Sequence, residues 1–252
     1  MLVIQRPTVE AIGTPENNRQ KFSIGPLEPG LGHTIGNSIR RMLLSSIPGA
    51  AITTVKFESA LHEFDVIDGI TEDVTEIILN LKDVVVTSES DEPVVITLDV
   101  KGPAEVTAAD IACPAGVEVL NKGQHIATLS AKGRLVVDLT IERGKGYASS
   151  DRDTRKVIGV IPVDAIFSPV RRCTFTVEPT RVEQSTNYDK IVLDIETDGT
   201  MEPREALASA GATLRSLVDL VATMSDEPVA LELGEVDRKS TRLNSSHMSE
   251  SR

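Results

Sequence analysis

The 252-residue chain has no tryptophan, and aromatic residues make up 3% of it. A platform on which nucleic-acid bases stack is therefore excluded. Its two cysteines, Cys113 and Cys173, stand far apart with no metal-ligand spacing, so they are expected to be buried, reduced thiols of a cytoplasmic protein rather than a disulfide. His33, His62 and His125 are scattered, with no pair at zinc-site spacing. There is no Gly-x-Ser-x-Gly elbow and no Gly-Lys-Ser/Thr phosphate loop. No catalytic residue, metal or cofactor is expected on this chain. No apolar run approaches the roughly 18 residues of a membrane span, and the N-terminus lacks the basic-then-apolar pattern of a secretion signal. Basic charge is also scarce: 26 Lys and Arg against 38 Asp and Glu give a net charge of −12. Broad phosphate neutralisation is thereby excluded, so any link to DNA is expected to be indirect, through partners.

What the chain does have is concentrated in residues 26–49, a glycine-punctuated turn (Gly30, Gly32, Gly36) running into one helix and closing on Pro48-Gly49. The spacing predicts a helix over 34–47, with Thr34 as its cap and Pro48-Gly49 as its stop. At about 100° per residue, Ile35, Ile39, Met42, Leu43 and Ser46 share one side, a core or dimer stripe. Asn37, Arg40, Arg41 and Leu44 share the other. Two arginines on a helix are most often solvated. An apolar Leu44 beside planar guanidinium groups instead matches the composition of a protein–protein contact. The glycines also admit a second reading, a stand-alone enzyme that binds an anion or nucleotide in the Gly30–Gly36 turn. A dinucleotide fingerprint would need its third glycine at position 35, which is Ile35.

Elsewhere, strands are expected at 2–5, 22–27 and 51–58, and a short helix at 74–81 after Thr71-Glu72-Asp73, whose acids suit a helix N-terminus. Residues 84–177 are rich in Val, Ile and Thr, with candidate strands at 84–86, 94–100, 104–107, 117–120, 135–143, 157–166 and 171–178. One more strand follows at 191–196. The stretch 143–153 reads as a flexible hairpin loop, and Glu63, Asp65 and Asp68 as a solvated turn. A last helix starts near Pro203 and runs to about Met224. Leu207, Leu214, Leu217, Val218, Val221 and Met224 form a narrow stripe on it, suited to a helix–helix seam. The small residues Ala206, Ala208, Ala210, Gly211 and Ala212 permit close approach. The class expected is α+β, with a β-rich middle between two segments that share a helical layer.

The stretch 26–49 resembles the signature of the bacterial RNA polymerase alpha subunit: Pro-Leu-Glu, Gly-x-Gly-x-Thr, Gly-Asn, Arg-Arg, Leu-Leu-Ser-Ser and Pro-Gly. Further matches follow in order: Leu61-His62-Glu63-Phe64, Gly69-Ile70-Thr71-Glu72-Asp73-Val74, Arg143-Gly144-Lys145-Gly146-Tyr147, Phe167-Ser168-Pro169-Val170 and Asp189-Lys190-Ile191. The resemblance extends over roughly 1–224 and has an actinobacterial flavour. It implies a homodimeric, non-catalytic scaffold of a nucleotidyltransferase, on which the large β and β′ subunits assemble. It implies a dimerisation domain of an antiparallel sheet plus two helices (1–48 and 172–226), an inserted β-rich domain (49–171) and the start of a linker (227–236). Ile35, Ile39, Leu43, Leu214, Leu217 and Val221 are then expected at the dimer interface. Asn37, Arg40, Arg41 and Leu44 are expected to bind partners, with Arg41 on the β subunit, and the 143–153 loop to lie near the large subunits.

Residues 237–252 turn abruptly basic and polar. From Asp237 to His247 they resemble one reading frame of a common sequencing adapter, and Met248 to Arg252 would be an index. This tail is expected to be non-native, replacing a linker and a DNA-contacting domain. Without its four basic and two acidic residues, the charge moves from −12 to −14.

Overall fold

The computed structural model describes residues 6–152, 158–182 and 185–224. The strand expected at 2–5, the linker start at 227–236 and the tail at 237–252 lie outside them. The first hairpin, β1 (Thr8–Glu16) and β2 (Arg19–Leu27), turns on Asn17 and Asn18, both left-handed with φ of 47° and 61°. Asparagine tolerates this conformation, and it matches the strand twist of a two-residue hairpin. Helix α1 (Leu31–Ser45) follows and passes directly into β3 (Pro48–Phe57). Pro48 therefore opens a strand, a position where its missing N–H is tolerated, instead of ending a helix in a loop.

Helix α2 (Val74–Lys82) has a complete capping box. The Asp73 carboxylate accepts from the Glu76 amide at 2.7 Å, and the Asp73 amide donates to Glu76 at 3.4 Å. The short strands β4 (Val86–Ser88), β5 (Val94–Lys101), β6 (Ala104–Thr107), β7 (Val117–Val119) and β8 (His125–Leu129) lead to the long β9 (Arg134–Lys145). Then come β10 (Tyr147–Ala148), β11 (Val160–Pro162) and β12 (Ala165–Ile166). Last are β13 (Val170–Val182), β14 (Ser185–Thr197) and α3 (Pro203–Ala222). The single strand expected at 157–166 is two, because β11 pairs with β3 while β12 turns away to pair with β10. The supposed loop at 143–153 is also partly strand, since Arg143, Gly144 and Lys145 pair with Ala50, Gly49 and Pro48.

Two antiparallel four-stranded sheets organise the chain, ordered β1-β2-β14-β13 and β11-β3-β9-β5. In the first, strands from both ends of the chain lie side by side, with Phe22 opposite Leu193 and Ile24 opposite Ile191. Alternation separates its faces. Phe22, Ile24, Ile191, Leu193, Ile195 and Cys173 face α1 and α3 and are buried. Lys21, Thr174 and Asp194 occupy the other face, where Arg19 grips Asp194 through two bonds of 2.8 and 2.5 Å. A second apolar cluster fills the middle of the chain, with Val55, Ile77, Leu98, Ile126, Leu135 and Leu139 at its centre. It shares no residue with the cluster under α1 and α3. Among the described residues no helix is long and apolar enough to cross a membrane.

Candidate subunit-assembly surface

Helix α1 begins three residues before Thr34, and Thr34 is not its cap. Gly30, left-handed at φ 87°, occupies the cap position with no side chain of its own to offer. The acceptor comes from β14 instead: Asp189 Oδ2 takes the amides of Gly30 at 2.8 Å and Gly32 at 3.2 Å. A carboxylate there satisfies orphan donors and complements the positive end of the helix. It also fills the place an anionic ligand would need, with charge of the same sign. The other two glycines of the motif serve packing. A Cβ on Gly32 would lie 2.7 Å from Val177 Cγ1, and one on Gly36 would lie 2.6 Å from Phe175 Cδ2. The anion-binding reading of the Gly30–Gly36 turn is thus overturned, because these glycines let a helix lie flat on β13 and β14. His33 sits edge-on to the Phe175 ring, with centroids 6.3 Å apart.

The apolar stripe of α1 turns inward. Leu43 is fully buried and Ile39 nearly so, and both belong to the chain's own core, with Ile35 and Met42 packed partly against it. Ile39 and Leu43, expected at a dimer interface, are therefore already occupied by the sheet beneath them. Leu44 is also half-buried against this core, although the helical wheel sets it on the side of Asn37, Arg40 and Arg41. Asn37 and Arg41 are exposed. Arg40 is half-buried and donates to Asn37 Oδ1 at 3.4 Å. Burial pushes the Cys173 thiol up to about 11, with the Arg40 charge opposing the shift. Cys113 is exposed, contrary to expectation. At the end of α1, the hydroxyls of Ser45 and Ser46 bond back to the Arg41 and Met42 carbonyls at 2.7 and 2.6 Å. These are second donors to carbonyls inside the helical ladder, since Met42 also accepts from the Ser46 amide at 2.9 Å, the back-bonding that serine makes within helices.

Helix α3 lies beside α1 through Ala206 and Ala210, both fully buried. Leu207 and Leu214 pack partly against the same core. Beyond Leu214 the helix leaves its own chain behind. Leu217 is 48% exposed, Val218 56%, Leu220 68%, Val221 67% and Met224 84%. Leu220 was absent from the stripe read in the sequence and joins it here. The structure therefore places an exposed apolar helix end and the exposed Arg41 on one two-helix layer. Reading single segments missed Asp189 and Phe175, the residues that seat α1. Asp189 stood in a recognised motif, but nothing in the sequence tied it to a glycine 159 positions away.

A family model described as the RNA polymerase Rpb3/RpoA insert domain matches residues 55–168. A DNA-directed RNA polymerase subunit alpha of Kineococcus radiotolerans is 53% identical over 236 residues, covering 93% of this chain and 70% of that protein. Subunits of the same name from Beutenbergia cavernae, over 240 residues, and Paenarthrobacter aurescens, over 236, match at the same identity and coverage. Identity of this level across a two-helix, two-sheet scaffold leaves the stand-alone enzyme reading without support. The chain belongs to the family of bacterial DNA-directed RNA polymerase alpha subunits.

Proposed function

We propose that this polymerase subunit acts as a non-catalytic, homodimeric scaffold on which the large β and β′ subunits assemble. In this reading the segments 1–48 and 172–226 are the dimerisation domain, 49–171 is an inserted domain, and contact with DNA is made through partners. The observation that carries it is the apolar end of α3. Five large apolar side chains at solvent, on a helix seated by Ala206 and Ala210, are what a second copy would cover. Ile35 and Leu214, half-buried at the edge of the same layer, would border that contact. Ile39 and Leu43 would support it from below.

Arg41 is assigned to recruitment of the β subunit, with Asn37, Arg40 and Leu44 as its surroundings. A guanidinium offers a planar fork to carboxylates or carbonyls that lysine does not reproduce. Two variants separate the roles. Leu217→Asp would place an unpaired charge in the seam, at a cost of several kcal/mol, and sedimentation should show monomers. Arg41→Ala should leave the dimer intact and weaken β pull-down by about thirtyfold, equivalent to about 2 kcal/mol. A dimeric Leu217→Asp protein or undiminished pull-down by Arg41→Ala would each refute its half of the reading.

A further inference from the structure

From Phe57 to Leu81 the chain carries seven carboxylates and no lysine or arginine. Four of the seven have structural work. Asp65 accepts from the Leu61 and His62 amides at 2.8 and 3.3 Å and meets the His62 imidazole at 3.1 Å. Glu72 accepts from the Thr128 amide at 2.7 Å and lies 3.0 Å from His125. Asp73 and Glu76 cap α2. Glu63 and Asp68 are exposed, and among the described residues neither carboxylate is taken up by an ion pair.

Between them the turn is tied down. The Asp65 amide donates to the His62 carbonyl at 3.2 Å, the Val74 amide to the Asp65 carbonyl at 3.2 Å, and the Thr75 hydroxyl to the Glu63 carbonyl at 2.7 Å. This ordered turn holds its apolar side chains outward: Leu61 is 68% exposed, Phe64 78% and Val66 73%. Ile158, 88% exposed, adjoins Gly159, whose Cβ direction meets Leu61 Cδ2 at 3.8 Å. The other four phenylalanines of the chain are buried or packed into a core.

We infer that Leu61, Phe64, Val66 and Ile158 form a docking surface for a segment of a different protein, apolar at its centre and basic around it. Apolar groups held in fixed geometry and rimmed by carboxylates match a partner of opposite charge. A second copy of this chain is the wrong occupant. A symmetric contact would set Glu63 and Asp68 against their own counterparts, on a chain whose net charge is already −12. The surface flanks α2, whose core cluster shares no residue with the one under α1 and α3, and so adds a contact to the scaffold reading.

The test places p-benzoylphenylalanine at position 64 of the full chain within assembled polymerase, followed by irradiation and mass spectrometry of the adduct. The expected product joins position 64 to an apolar residue of another polypeptide flanked by Lys or Arg. Its yield should fall at least tenfold when Glu63→Lys and Asp68→Lys are added, with the melting temperature of the subunit unchanged. An adduct with a second copy, an adduct within an acidic segment, or a yield insensitive to the charge reversal overturns the inference. So does a yield no greater than that from the exposed Glu92 position. These readouts do not pass through Arg41 or Leu217, so the scaffold reading stands or falls separately.

Discussion

Gly36→Ala tests how α1 is seated. In an ordinary helix interior, alanine in place of glycine gains about 1 kcal/mol. Here the added methyl would lie 2.6 and 2.8 Å from two ring carbons of Phe175, and 3.2 Å from a third. The ring must move or the helix must lift, and overpacking of this kind costs about 1–3 kcal/mol. The net expectation is destabilisation of about 1 kcal/mol, or roughly 2–4 °C in Tm for a chain of this size. An internal control exists. Gly211, inside α3, has nothing within 4 Å of its Cβ position, so Gly211→Ala should stabilise the chain by up to about 1 kcal/mol. Phe175→Leu combined with Gly36→Ala should recover part of the loss, with a coupling of about 1 kcal/mol. Urea denaturation at one fixed protomer concentration measures wild type, the two glycine variants, Phe175→Leu and the double variant, since self-association would make apparent stability depend on concentration. If Gly36→Ala stabilises the chain as Gly211→Ala does, α1 has slack against β13, and the packing role assigned to this glycine is wrong.

Other consequences follow from single contacts. Asp189→Ala removes the acceptor at the start of α1 and should cost about 1 kcal/mol, whereas Asp189→Asn keeps an acceptor oxygen and should cost less; equal losses in thermal melts would show that accepting from the Gly30 and Gly32 amides adds nothing beyond the carboxylate charge. For Glu72, burial pushes the carboxyl up, but bonds from Thr128 and His125 outweigh it and hold the group below the ordinary value of 4.5. A carboxylate lowered in the folded state stabilises above its unfolded value, and that stability is lost as pH falls through the folded one. Unfolding between pH 3 and 6 should therefore show a shallower acid limb in Glu72→Gln, and an unchanged limb would contradict the assignment. Cys113 is exposed while the Cys173 thiol is buried and shifted to about 11, so a disulfide-exchange reagent at neutral pH should modify one thiol in the native chain and two in denaturant.

Signals confined to a few neighbouring residues were legible from the sequence. The acidic turn Thr71-Glu72-Asp73 marked the start of α2, Pro203 the start of α3, and residues 191–196 a strand. Each rests on a period or a cap that operates within one or two turns of chain. The same local logic found the helix of α1 but assigned its faces incompletely. A helical wheel sorts Ile39 and Leu43 from Arg41, yet it cannot say whether the apolar side meets the chain's own sheet or a second copy. Strand β1 escaped notice because all nine of its residues are exposed and no hydrophobic alternation betrays it. Only the tertiary structure brought Asp189 to the amides of Gly30 and Gly32 and Phe175 to Gly36, joining segments well over a hundred residues apart. It also decided that α3 outruns its own core at Leu214, leaving Leu217 to Met224 at solvent. The physical reason is the same in each case. Helix and strand periods follow from backbone geometry within one segment, whereas a cap borrowed from another strand, or a face left uncovered, depends on which distant segments share a core.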